Sequence, residues 1–122
     1  MDFGERLRQL RLDKTLSQRK LAEKIGIDFT YLSKIERGRM SPPSQETIMK
    51  LASVLEADSD ELLVLADRVP DDVKDVVTKS AKLPAFLREL RDLDDDDIED
   101  LRKRAGELRN EKVDNDTNNA SE

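Results

Sequence analysis

Residues 16–38 read LSQRKLAEKIGIDFTYLSKIERG, two short helical patterns joined by a glycine turn. Ser17 stands where a side-chain oxygen can cap the first pattern, whose apolar side is Leu21, Ala22 and Ile25. Its capping box is incomplete, because the third helical position is Lys20 rather than Glu or Gln. Gly26 supplies a residue able to turn left-handed and stop the helix. Asp28 can cap the second pattern, with Leu32 and Ile35 facing inward and Gly38 closing it. Apolar residues thus lock the two helices, and small Ala22 lets them cross closely.

Outward from this pair, Phe3, Leu7 and Leu10 fall at i, i+4, i+7 with Arg6, Arg8 and Arg11 between them, which predicts an amphipathic helix over 2–13. Arg39, Met40, Ser41, Pro42 and Pro43 form a surface loop, since two prolines remove donors and push their predecessors toward extended geometry. Ser44 restarts the chain as a cap, with Glu46 in the first turn and Ile48, Leu51, Ala52 and Leu55 on one face. Asp58 or Ser59 can cap a fifth helix bearing Leu62, Leu63, Leu65 and Ala66. Five short helices predict one compact all-α domain over residues 1–68.

The second half has a different character. Pro70 can begin a helix with Val69, Val73, Val76 and Val77 at helical spacing. Leu83, Phe86, Leu87, Leu90 and Leu93 make a second stripe beginning at Pro84. Ile98, Leu101, Ala105 and Leu108 recur at 3, 4, 3, the pattern of a coiled-coil seam or bundle face. Three short stripes have too little mass to bury themselves. Residues 69–109 are therefore expected to be a helical dimerisation region, using Val73, Val76, Val77, Phe86, Leu87, Leu90, Leu93, Ile98, Leu101 and Leu108. The alternative is that they cover the back of the first domain. In 110–122 only Val113 and Ala120 are apolar, which predicts a disordered polar tail.

Composition removes whole classes of function. The 122 residues are 41% charged and 36% apolar, with no Cys, His or Trp. Without His and Cys the chain lacks the usual ligands of zinc, haem or an iron–sulfur cluster, a Cys nucleophile and the commonest general base. No enzyme, metal or cofactor is expected. No run of about 18 apolar residues offers a transmembrane helix, and Met1, Asp2, Phe3, Gly4, Glu5 and Arg6 lack the order of a signal peptide. The net charge of −6 hides an asymmetry. Residues 1–50 carry 11 Lys/Arg against 7 Asp/Glu, whereas 51–68 carry 1 against 5 and 69–122 carry 10 against 16. Positive charge is confined to the first fifty residues, where it can form a local footprint for phosphates.

The run Leu16, Ser17, Gln18, Leu21, Ala22, Gly26, Tyr31, Leu32, Ser33, Ile35, Glu36, Arg37 and Gly38 resembles the XRE/Cro-like helix-turn-helix repressors of phage and bacteria, over roughly residues 3–66. The resemblance implies a five-helix, lambda-repressor-like domain whose third helix enters the major groove of double-stranded DNA. With Leu32 and Ile35 inward, Phe29, Thr30, Ser33 and Lys34 are the candidate base readers: hydroxyls for base edges, Lys34 for guanine O6 and N7, Phe29 for a thymine methyl. Candidate phosphate contacts are Ser17 and Gln18 at a helix start and Tyr31, Arg37, Arg39 and Ser41 at the opposite rim. Arg19 and Lys20 are weaker candidates, since a charged face of a short helix is usually only solvated. Resemblance further implies that Arg11 pairs with Glu36 as a structural salt bridge. One domain would hold a half-site weakly, so a homodimer on a palindromic operator is expected, in the cytoplasm and on the nucleoid.

Asp92, Asp94 to Asp97, Glu99 and Asp100 do not make an EF-hand, for Asp97 falls where Gly is needed and Lys103 where the bidentate Glu is needed. They complement the dipole at the start of the last helix, as Arg102, Lys103, Arg104 and Arg109 do at its end. About 54 residues follow the first domain, with no strand-rich stretch for the self-cleaving peptidase of many phage repressors. The arrangement more closely resembles short XRE regulators that sense through a separate partner, in some of which an ImmA/IrrE-type metallopeptidase cuts the dimerisation helices. By that resemblance Leu83, Pro84, Ala85, Phe86 and Leu87 are expected to be a cleavage or effector site. The competing reading is an antitoxin whose C-terminal helices bind a toxin or other partner, with DNA binding serving autoregulation. RNA binding is disfavoured by the scarcity of aromatics, one Tyr and three Phe.

Overall fold

The structure is a computed structural model that describes residues 1–120, with side-chain surroundings given through residue 117. Among the described residues it is all-α, with α1 (Phe3–Asp13), α2 (Gln18–Ile25), α3 (Phe29–Glu36), α4 (Gln45–Leu55), α5 (Ser59–Leu65), α6 (Asp71–Val77), α7 (Lys82–Glu89), a 3₁₀ turn (Leu90–Asp92) and α8 (Asp95–Ala120). The chain divides into two units, Met1–Asp75 and Val76–Glu122. The division falls inside α6, later than the 68/69 boundary expected from patterning. Arg68 is tied to the first unit by donating from Nε to the Pro43 carbonyl at 3.1 Å. Pro70 then starts α6 by accepting from the Val73 and Lys74 amides.

Local chemistry sets the helix ends. Asp2 and Glu5 close a reciprocal capping box on α1, with the Glu5 amide donating to Asp2 Oδ1 at 2.8 Å. Ser17 Oγ accepts the Lys20 amide at 3.0 Å, and Gly26 ends α2 with φ of 77°. Asp28 occupies the N-cap position of α3 without a side-chain cap bond. Ser44 caps α4, and of the two candidates for α5 it is Asp58 that accepts, from the Asp60 amide at 2.9 Å. The core of the first unit is Phe3, Leu7, Leu21, Ala22, Ile25, Leu32, Ile35, Ile48, Leu51, Ala52, Leu55, Leu62 and Leu63. Each fully buried Leu or Ile contributes about 1.5–3 kcal/mol, which holds five helices of at most 11 residues that would not persist alone.

In the second unit α7 begins at Lys82, two residues ahead of Pro84, which sits in the first turn where a missing N–H costs nothing. Asp94 caps α8 reciprocally with Asp97: the Asp97 amide donates to Asp94 Oδ1 at 2.9 Å and the Asp94 amide to Asp97 Oδ2 at 3.2 Å. Past Asn110, where patterning expects a disordered tail, α8 runs on to Ala120. Side-chain pairs Glu99–Arg102 and Arg104–Glu107, with Glu111 also beside Arg104, run along this helix, and no Gly or Pro follows Gly106 to stop it. Residues 121–122 of that expected tail lie outside the described residues. No residue of α7 is buried, and Val76, Phe86, Leu87, Leu93, Ile98, Leu101 and Leu108 are exposed.

Candidate nucleic-acid interface

The first unit presents α3 with one side committed to the core. Leu32, Ile35 and Glu36 are buried, so the helical period turns Thr30 and Lys34 to solvent with Ser33 half-exposed between them. These three lie at i, i+3 and i+4, on one face about one turn long. Phe29 and Tyr31 are half-buried and pack against the core cluster.

The expected phosphate contacts are placed unevenly. Ser17 and Gln18 stand at the start of α2, where Ser17 Oγ is already engaged by the Lys20 amide. Gln18 Nε2 donates to Glu36 Oε1 at 3.2 Å. Glu36 in turn takes a bidentate pair from Arg11, both groups being buried at 6% and 7% exposure. Gln18 therefore joins the α2 start to the α3 end, a tie with no signal in local patterning. Arg37, exposed at the α3 terminus, folds back so that Nε donates to the Ser33 carbonyl at 3.3 Å. Arg39 and Ser41 are exposed in the following loop and line an open groove of about 500 Å³ with Asp2, Ile35 and Asp67.

Ion pairing sorts the positive charge of this unit. Arg6 pairs with Glu61, Arg11 with Glu36 and Lys14 with Glu56, each joining α1 or its cap to another helix or helix cap of the first unit. Arg8, Arg19, Lys20, Lys24, Lys34, Arg37 and Arg39 make no ion pair with another described residue. The charge left for a polyanion thus sits largely on α2, α3 and the loop after α3. Arg19 is placed more specifically than its sequence position suggests, its guanidinium lying 4.4 Å from the centroid of the Phe29 ring. Among the described residues no group of acidic side chains is arranged to hold a metal ion, and no helix is long and apolar enough to cross a membrane.

Comparison with known proteins places this geometry. The helix-turn-helix family model HTH_3 matches residues 7–62. The chain is 32% identical over 120 residues to the HTH-type transcriptional regulator RghRB of Bacillus subtilis strain 168, covering 83% of this chain and 86% of that protein. It is 40% identical over 61 residues to the HTH-type transcriptional regulator SinR of the same organism, covering 50% of this chain and 55% of SinR. A crystal structure of SinR in complex with DNA is 39% identical and matches with a TM-score of 0.48, covering 50% of this chain and 97% of that one.

Proposed function

The chain belongs to the XRE-type helix-turn-helix family of transcriptional regulators, and from that premise we propose that it is a sequence-specific DNA-binding repressor acting as a homodimer on a palindromic operator. The observation that carries this reading is the single exposed face of α3 made by Thr30, Ser33 and Lys34 above the buried Leu32, Ile35 and Glu36. Laid in the major groove, that face offers two hydroxyls to base edges and one ammonium to guanine O6 and N7. The backbone N–H groups after Ser17, with Gln18, seat one strand, and Tyr31, Arg37, Arg39 and Ser41 seat the other. The acidic second unit is kept off the duplex by like charge.

Two copies paired through the second unit place their recognition helices about 34 Å apart on one face of the duplex. The exposed Phe86, Leu87, Leu93, Ile98, Leu101 and Leu108 support that pairing. A partner protein relieves repression by competing for these residues or by destroying them. Residues 83–87 lie in α7, so a metallopeptidase cutting there must first open a helix that no buried side chain secures. Such a protein works in the cytoplasm on the nucleoid.

Footprinting on the DNA flanking its own gene, repeated across salt concentrations, tests the reading. Two protected half-sites related by a dyad, lost together as salt rises, are expected. Absence of any protected palindrome at low salt overturns it. A stable one-to-one complex with a neighbouring gene product that forms without affecting DNA would instead favour the antitoxin reading.

A further inference from the structure

Arg19 is the second residue of α2 and Phe29 the first of α3, so the crossing of the two helices stacks a cation from one helix start on an aromatic ring from the other. The ring is half-buried and packs against the core cluster, whereas Arg19 is exposed and forms no ion pair with another described residue. We infer that Arg19 is a phosphate-contacting residue held in position by Phe29, and that Phe29 positions Arg19 instead of reading a base. The inference rests on the DNA-binding reading and assigns within it a contact that charge patterning alone ranks low.

The physical argument has three steps. A guanidinium lying on an aromatic face keeps its N–H donors at the edge of its own plane, free to meet phosphate oxygens while the stack persists. An arginine already held over a ring loses less freedom on binding than one waving in solvent, so the contact is preorganised. A ring with one side toward the core and the other under Arg19 has no free face for a thymine methyl, which removes the expected role of Phe29 as a reader. The position also suits the anion, because Arg19 adds a full charge beside the outward N–H groups of an eight-residue helix.

The test uses the full chain and a short duplex carrying the site that the wild type selects from a random-sequence library, with Kd measured across salt concentrations. Arg19→Ala is expected to make the slope of log Kd against log salt shallower by about one unit, with only the small fall in melting temperature that loss of an exposed stack brings. Arg19→Lys should retain the slope. Phe29→Leu should weaken binding several-fold and equally across single-base variants of the site, because it loosens Arg19 without removing its charge. An unchanged slope in Arg19→Ala overturns the inference, as does a Phe29→Leu loss confined to one A·T pair. A wild-type chain that selects no site overturns the DNA-binding reading itself, an outcome separable from either.

Discussion

Arg11 in α1 and Glu36 at the end of α3 form a buried bidentate pair, Nε donating to Oε2 at 2.8 Å and Nη2 to Oε1 at 2.9 Å. The third guanidinium nitrogen donates to the Leu16 carbonyl at 2.8 Å, and Gln18 adds its amide to Glu36. The pair therefore touches the end of α1, the approach to α2 and the end of α3, fixing the angle at which α3 leaves the core. Among the described residues no buried side-chain polar atom lacks a partner. Removing one member leaves an uncompensated buried charge, so Arg11→Met or Glu36→Leu alone should cost about 3–5 kcal/mol in urea unfolding. The double replacement should recover most of that loss, because two apolar side chains bury no charge. If the double variant is as unstable as the sum of the singles, the pair does not act as a unit.

Gly4 sits in the first turn of α1 against the end of α3. A Cβ there would meet the backbone carbonyl oxygens of Ile35 and Glu36, the latter at 2.8 Å, and backbone has little room to yield. Gly4→Ala should therefore destabilise by about 1–3 kcal/mol, as overpacking does, despite the better helix propensity of alanine. It should also displace the end of α3 and weaken DNA binding beyond what unfolding explains. A rise in melting temperature, which propensity alone predicts, would contradict the close approach.

What could be read from the sequence divides along the range of the interactions. Ser17, Gly26 and Ser44 act on residues within a turn of themselves, so they were legible from local spacing, as were the buried stripes of Leu21, Leu32 and Leu51. Asp28 shows the limit even there, holding the cap position while its side chain makes no cap bond. Arg6 and Lys14 counted as basic footprint in a charge tally, yet their carboxylate partners Glu61 and Glu56 stand 55 and 42 residues away. The Gly4 approach, the Gln18–Glu36 bond and the Arg19–Phe29 stack are likewise made only when helices meet. The reach of α8 is also unmarked by apolar patterning, since the pairs that line it, Glu99–Arg102 and Arg104 with Glu107 and Glu111, lie along its own surface.

The ion pair between Lys14 Nζ and Glu56 Oε2, 2.6 Å long, joins the C-terminal caps of α1 and α4. The hydrogen bond from Lys14 and then its charge hold the Glu56 carboxyl below its ordinary 4.5, against a smaller opposing effect of desolvation. A carboxyl whose pKa is lowered by folding stabilises the fold above its unfolded value, and that contribution is lost as pH falls through the folded one. The melting-temperature difference between wild type and Glu56→Gln should thus be constant above pH 4.5 and shrink below it. Both side chains are substantially exposed, so the effect should be small and weaken with added salt. A difference that grows on acidification would reverse the assigned sign.

Lys34 and Arg39 are both exposed cations, and the proposed interface gives them different work. Lys34→Ala should remove discrimination at one base pair, worth about 1–3 kcal/mol for a good contact to guanine. Arg39→Ala should weaken binding to all sequences and reduce the salt slope by about one unit. Neither should alter stability. Matching losses in both variants, uniform across operator variants, would mean that Lys34 only supplies charge.

The second unit bears on the number of copies. Ile98, Leu101 and Leu108 are 40%, 36% and 45% exposed along a 26-residue helix, with Ala105 completing the 3, 4, 3 spacing. No residue of this helix through Thr117 is buried, so its described part gains little tertiary stabilisation, and propensity alone is marginal in a segment rich in Asp and Asn. In the proposed pairing, a second copy laid along this stripe would supply what is missing and join two DNA-binding units, making binding of the second half-site intramolecular. Leu101→Asp should therefore yield a monomer by sedimentation equilibrium while leaving the melting of the first unit unchanged. Operator affinity should fall by about 10²–10⁴, the usual gain from linking two sites. Arg37→Ala, on the proposed DNA face and away from α8 in sequence, should weaken binding with the dimer intact, separating the two effects. A wild-type chain that sediments as a monomer at micromolar concentration, yet binds its palindrome cooperatively, would place the dimer contact somewhere other than this helix.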